Sequence, residues 1–256
     1  MFLGIRGGSL STPGPLIALI PAHNEEPTIR EVAEGALAHA DKVWVVDDGS
    51  SDGTATALQG LPVRLIRHPQ NAGKGQRLAE GLEEAFAQGA WGVVTLDGDG
   101  QHDPADIPAF RKRALEVPGA LILGDRSIGR GAMPRDRALA IAFGNIFIGW
   151  ACGWRIADAQ CGMRLYPRGF AHARVPKRLR HGFVYETAAL IHGAEAGLRH
   201  ASVPIRARYA GFQHRPSHFR PVTDFALIFA AVAGHLISRR LALRGLFRSL
   251  GLGIRD

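Results

Sequence analysis

Cysteine is nearly absent from this chain of 256 residues, which holds only Cys152 and Cys161. Two thiols cannot build a disulfide framework, and a reducing compartment is the simpler expectation. Long apolar runs are missing too. The most apolar later stretches, residues 138–152 and 225–237, fall short of the roughly 20 residues that a membrane-spanning helix needs. Met1 to Pro15 contains no apolar h-region, so no secretory leader is expected and the protein reads as soluble or peripheral, on the cytoplasmic side. No G-x-G-x-x-G follows the first apolar run, which leaves a Rossmann dinucleotide site unsupported. Asn71–Gly75 lacks the glycine spacing of a P-loop. There is no linker, low-complexity tract or internal repeat, and a single domain with C-terminal embellishments is the economical reading.

Acidic residues are also scarce at one end. The net charge is +8, yet from Arg206 to Asp256 nine arginines face only two aspartates, so the excess is local. A basic end beside apolar runs suits an anionic membrane surface better than nucleic acid. An arginine-rich composition with no partner is the plain alternative.

What is present is an alternation of strand and helix patterns. Leu16–Ala22, short, apolar and bounded by prolines, reads as a buried strand. Ile29, Val32, Ala33, Ala36 and Leu37 recur at helical spacing after Pro27. Val43–Val46, Val63–Ile66, Val93–Leu96 and Leu121–Leu123 read as further strands. Leu78, Leu82, Ala85 and Phe86 mark one helix face, while Asp52 and Asp103-Pro104 mark helix starts. The rhythm predicts an α/β fold, a mostly parallel sheet flanked by helices, with ligands bound beyond the C-terminal strand ends. Polar clusters fall at those ends: His23-Asn24-Glu25, Asp47-Asp48-Gly49, Asn71–Lys74 and Asp97-Gly98-Asp99. After about residue 130 the rhythm weakens. The expected boundaries are 1–14 for an N-terminal extension, 15–210 for the main domain, and 211–256 for a basic loop and an amphipathic membrane-associating helix.

The clusters carry chemistry. In Asp97-Gly98-Asp99-Gly100-Gln101-His102, two carboxylates one glycine apart can face a hard cation, Mg²⁺ or Mn²⁺, with a diphosphate completing its shell. A solvated Asp-Gly turn would have the same sequence. Turn glycines and Asp52 as a cap explain half of the Asp47–Thr54 segment, but not the paired Asp47 and Asp48 after an apolar strand. One of those carboxylates could accept a hydrogen bond from a nucleotide base. Lys74 suits a phosphate or a carboxylate, or is a solvated lysine at a helix start.

Taken in order, Pro21-Ala-His-Asn-Glu-Glu26, Val46-Asp-Asp-Gly-Ser-Ser-Asp-Gly-Thr54, Asn71-Ala-Gly-Lys-Gly75, Asp97-Gly-Asp-Gly-Gln-His-Asp-Pro104, Gly124-Asp-Arg126 and Asp158-Ala-Gln-Cys-Gly-Met-Arg164 resemble the family 2 glycosyltransferases. The likeness is strongest to the dolichyl- and polyprenyl-phosphate sugar transferases and spans about residues 15 to 210. It implies a GT-A fold with a Rossmann-like nucleotide-binding half, a nucleotide-diphosphate-sugar donor (a GDP- or UDP-sugar), a divalent metal, a lipid acceptor and inversion at the anomeric carbon. Carried onto matching positions, it implies that Asp48 contacts the base, and that Pro21, Asn24, Glu25, Asn71, Lys74 and Asp97 bind the donor. Asp97, Asp99 and Gln101 would serve the metal, Arg126 would face the acceptor phosphate, and Arg164 would hold phosphate. Asp158 would sit at the reacting centre, as general base if the acceptor is a hydroxyl, or else as a structural carboxylate. A sugar-nucleotide nucleotidyltransferase would need a Gly-rich basic loop where Pro21–Glu26 is acidic. A non-catalytic binding protein sits poorly with intact Asp97, Asp99, Gln101 and Arg126. Nucleic acid is disfavoured because the acidic rim would repel its backbone.

Residues 138–152 follow Arg135 and Arg137 and end near Trp150 and Trp154. They suit either a core helix or one lying in lipid headgroups. Arg137 with Asn145 matches a spacing in the polyprenyl-phosphate transferases, although the serine of that pattern is Ile141 here. A basic loop, residues 209–224, carries His218 and Arg220 as further acceptor or phosphate contacts. Phe225–Arg248 reads as a basic amphipathic helix for peripheral attachment. Cys161 is expected to be packed near the site, not catalytic.

Overall fold

A computed structural model describes residues 14–126, 135–206, 221–239 and 243–251. Its strands are β1 (Leu16–Ala22), β2 (Lys42–Asp48), β3 (Arg64–His68), β4 (Gly92–Thr95), β5 (Ala120–Asp125), β6 (Arg164–Pro167) and β7 (Arg199–Pro204). They form one sheet in the order β3-β2-β1-β4-β6-β5-β7. β1 pairs parallel with β2 and β4, β2 with β3, and β5 with β7, whereas β6 runs antiparallel to both β4 and β5. Every strand but β6 therefore points its C-terminal end at the same rim. β6 begins at that rim, where Arg164 lies opposite Thr95 and Leu123.

The pleat explains the layers. All seven residues of β1 are buried, as a strand covered on both faces requires. Leu16, Ala18 and Ile20 face a core shared with α1 (Ile29–Leu37) and α4 (Ile107–Glu116). Ile17 and Leu19 face the opposite core, shared with α3 (Lys74–Ala87), α5 (Arg135–Cys152), α6 (Val184–Glu195) and α7 (Pro221–Ser238). α3 can approach β1 closely because residue 81 is glycine: a Cβ there would meet Leu19 Cδ1 at 2.6 Å. The four-residue α2 (Thr54–Ala57) and the short α8 (Leu243–Ser249), which packs on α5, complete the helices described.

The five expected strands are present, β1 with the expected ends and β2 to β5 with ends shifted by a residue or two. β2 runs on through Asp47 and Asp48, so that pair ends the strand instead of following it. β6 and β7 had no readable pattern. β6 is four residues long and buried throughout, which removes any alternation. The single helix expected from Phe225 to Arg248 is two helices, α7 and α8. α7 carries exposed apolar residues on its outer side as well as buried ones on its inner side. Among the described residues, no helix is long and apolar enough to cross a membrane.

Candidate active site

The turn after β4 is fixed from two sides. The Gly98 carbonyl accepts a hydrogen bond from Thr28 Oγ1 at 2.7 Å, and the Gln101 amide donates to Asp99 Oδ1 at 3.0 Å. A Cβ on Gly98 would lie 3.3 Å from both Glu25 Cγ and the Pro21 carbonyl oxygen, so Pro21 and Glu25 pack close against the glycine between the two aspartates. Gly162 supplies room on the other side, where a Cβ would come within 2.7 Å of Asp97 Oδ2. Lys74, at the start of α3, places Nζ 2.6 Å from Asp97 Oδ1 and 3.3 Å from Glu186 Oε1 on α6. Burial alone would raise the Asp97 carboxyl, but the Lys74 ammonium, together with His102 and Arg126, holds it down at about 2. Lys74 is raised in turn: the two carboxylates overcome the cost of burying its charge.

His102 lies beneath this turn. Its Nδ1 accepts the Asp97 backbone amide at 3.2 Å, so in the neutral ring the proton sits on Nε2, facing Cys161 Sγ at 3.9 Å. Burial pushes its pKa down to about 4, so the 3.7 Å approach of Nδ1 to Asp97 Oδ2 is not an ion pair at neutral pH.

Do these residues fit a divalent cation? Among the described residues, no group of three or more His, Cys, Asp and Glu is assembled as a metal cage. Asp97 and Asp99 are half-buried carboxylates on one tight turn, and the first already draws an ammonium to its outer oxygen. Two oxygen donors that leave most positions to a diphosphate and water suit Mg²⁺ or Mn²⁺. The donor set fits.

Beyond β1 and β2, the loops lock together. Asn24 adopts the left-handed region at φ 57°, which asparagine tolerates better than most residues. Its backbone amide donates to Ser50 Oγ, and its Oδ1 accepts the Ser51 amide. The Glu25 amide donates to Thr54 Oγ1 at 2.8 Å. Asp47 is fully buried: Oδ1 accepts the Ser50 amide, while Oδ2 lies 3.2 Å from Arg67 Nε without an aligned hydrogen bond. Asp48, the residue expected to contact the base, is nearly buried at the end of β2. Its oxygens accept the amides of Ala72 and Gly73, both at 2.8 Å, and Arg77 Nε at 2.6 Å. It is turned inward and shapes the Asn71–Lys74 loop, on which Asn71 itself is exposed.

At the end of β5, Arg126 meets Asp158 in a two-pronged pair. Nε lies 2.7 Å from Oδ2 and Nη2 lies 3.0 Å from Oδ1, while the Arg126 and Gln160 amides also point at that carboxylate. The Asp158 side chain is wholly buried, and Arg126 keeps partial exposure. Asn145 of α5 brackets the segment, donating to the Ala157 carbonyl at 2.6 Å and accepting the Ala159 amide at 3.0 Å. Arg164 requires a correction. It is 1% exposed, and its guanidinium donates to the carbonyls of Cys161, Glu186 and Ala159, so it is a structural clamp and not a phosphate contact. Burial pushes the Cys161 thiol up to about 12, in keeping with a packed, inert cysteine. The Arg137 side chain, His218 and Arg220 lie outside the described residues.

Two residues of this site escaped the sequence reading, Arg77 and Glu186, while His102 and Asn145 were quoted within motifs without the contacts seen here. Arg77 and Glu186 did leave a trace, since each is a charge on an otherwise buried helix face.

Residues 17–174 match the family described as glycosyl transferase family 2. The chain is 30% identical over 218 residues to UDP-N-acetylglucosamine–dolichyl-phosphate N-acetylglucosaminyltransferase of Methanococcus voltae, covering 76% of this chain and 86% of that protein. It is 25% identical over 258 residues to dodecaprenyl-phosphate galacturonate synthase of Rhizobium johnstonii, covering 93% and 72%. Among solved structures, glucosyl-3-phosphoglycerate synthase of Mycobacterium tuberculosis, in complex with Mn²⁺, UDP and glucosyl-3-phosphoglycerate, aligns with a TM-score of 0.60 at 24% identity, covering 88% of this chain and 80% of that one. The fold is therefore GT-A. With motifs, sheet order and sequence in agreement, the chain belongs to glycosyl transferase family 2 and is a glycosyltransferase.

Proposed function

We propose that this protein moves a sugar from a nucleotide-diphosphate donor, a GDP- or UDP-sugar, onto polyprenyl phosphate at the cytoplasmic face of a membrane, with inversion. The observation that carries this reading is the Arg126–Asp158 pair. Asp158 uses both oxygens on Arg126 and on backbone amides, so it is spoken for as an orienting group and poorly placed to act as a general base. A hydroxyl acceptor would need such a base. A phosphate acceptor brings its own nucleophilic oxygen and needs a fixed cation to receive it, which Arg126 provides. The names of the curated relatives, built on dolichyl and dodecaprenyl phosphate, support the same acceptor class.

In this mechanism Asn24 and Glu25 line the nucleotide side. Lys74 binds the donor diphosphate. Asp97 and Asp99 would hold the divalent cation, assisted by Gln101, and when bound it would neutralise charge on the leaving diphosphate. An acceptor phosphate oxygen, oriented by Arg126, bonds to the anomeric carbon as the bond to the diphosphate breaks. The electron pair leaves with the nucleoside diphosphate, where Lys74 meets it.

The test is a panel of radiolabelled donors (GDP-mannose, UDP-glucose, UDP-GlcNAc) with undecaprenyl phosphate and Mn²⁺, run on wild type and Asp99→Ala. Label should enter the organic phase, and the variant should lose at least about 100-fold of that rate. Donor hydrolysis without lipid labelling would rule out the phosphate acceptor. No donor consumption and no metal-dependent nucleotide binding would remove sugar transfer itself.

A further inference from the structure

We infer that the face shared by α5 and α7 is the surface on which this protein seats in an anionic lipid leaflet, and that Asn145 ties that face to the Asp158 segment. The inference deepens the function proposed above and rests on it for the presence of a lipid acceptor.

Begin with α7. Ile228, Val232 and Leu236 recur four residues apart and are buried in the core. A helix in contact with water would carry charge on the opposite side. Here the opposite side is Ala226, Leu227, Ala230, Gly234 and Ile237, all exposed, with Ile237 at 70%. The apolar surface continues onto α5. Phe229 stacks on Phe147 with ring centroids 4.7 Å apart, and Phe147 stacks in turn on Phe143, which is 63% exposed. An uncharged patch crossing two helices marks a covered surface.

Charge selects the occupant. Nine arginines face two aspartates from residue 206 onward, and Arg239 and Arg248, just beyond the apolar stretch, are exposed. A second copy of the chain packed on this face would set Arg239 and Arg248 against like charge, because a two-fold contact sets like surfaces together. An anionic leaflet meets the phenylalanines with acyl chain and the arginines with phosphate.

The coupling to the site is short and runs through two hydrogen bonds of one side chain. Asn145 lies between exposed Phe143 and Ile146 on α5, and its side-chain amide holds the residues on both sides of Asp158. The depth at which α5 rests in the headgroups thereby sets the height of the Arg126–Asp158 pair above the bilayer.

The experiment is sedimentation of the full chain with vesicles of phosphatidylcholine alone and of phosphatidylcholine mixed with phosphatidylglycerol, without donor or acceptor. Wild type should bind the mixed vesicles and be released by salt. Phe143→Ser with Phe229→Ser should weaken binding by roughly 10-fold or more, with Mn²⁺-dependent UDP or GDP binding unchanged. Arg239→Glu with Arg248→Glu, which leaves the apolar face intact, should lower binding to the mixed vesicles only. Failure of wild type to bind either vesicle would overturn the inference. So would equal binding by all variants, or a wild-type dimer that the phenylalanine substitutions dissociate. Vesicle binding without sugar transfer would sink the proposed acceptor and leave this surface standing.

Discussion

Arg126 and Arg164 both fall within recognisable motifs, yet their guanidinium groups meet different partners. The first is paired with a carboxylate and partly exposed, while the second is buried and spent on three carbonyls. Sequence could not separate them, because the carbonyls that use up Arg164 belong to residues of any type. The partners of Asp48 at Ala72 and Gly73 were hidden for the same reason, being backbone amides. The carboxylates of Asp97 and Asp99, by contrast, were legible because a tight turn leaves them few places to go. Lys74 gives a prediction at this scale. Its ammonium occupies the carboxylate that a divalent cation would share. Without donor present, Lys74→Met should raise Mn²⁺ affinity by roughly 10-fold, since a like charge is removed from the site. It should also lower affinity for the nucleoside diphosphate. Electron paramagnetic resonance of free Mn²⁺ measures the first, and an unchanged Mn²⁺ affinity would refute the idea.

Elements were readable where periodicity had room to repeat. The first five strands and the helices between them each carried an apolar run or a helical stripe. β6 and β7 did not, since β6 is short and wholly buried and β7 is a partly exposed edge strand. α3 illustrates how closely the elements meet. A Cβ on Gly75 would come 2.6 Å from Tyr185 Cβ, 2.7 Å from the Gly182 carbonyl oxygen and 2.8 Å from the Arg180 carbonyl oxygen. These are backbone and Cβ atoms that cannot turn aside. Gly75→Ala should therefore cost about 1–3 kcal/mol by overpacking, read as a lower thermal midpoint. Gly234→Ala is the control, in a helix with nothing within 4 Å of its Cβ. It should hold or raise the midpoint, by up to about 1 kcal/mol. Equal midpoints for the two variants would show that the α3–α6 contact is slack.

For the molecule as a whole, stability should depend on pH through His102. Its ordinary value is 6.5 and burial brings it to about 4 in the fold. Between those values the unfolded chain binds the proton and the folded one does not, so stability rises with pH across that window. The contribution is complete above 6.5 and lost as pH falls towards 4. The full effect is on the order of 3 kcal/mol. Urea midpoints recorded with a chelator present, so that no metal competes at Asp97, should climb between pH 4.5 and 6.5. His102→Gln should flatten that climb, and an equally steep profile in the variant would assign it elsewhere.

The single antiparallel strand works as a hinge pin between two halves of the site. β6 divides the sheet so that Asn24, Asp47, Lys74 and Asp97 hang on the side of β1 to β4, while Arg126 hangs on β5 beyond it. Arg164 and Leu165 are in register with both neighbours, so a shift of this four-residue strand moves the two halves relative to one another.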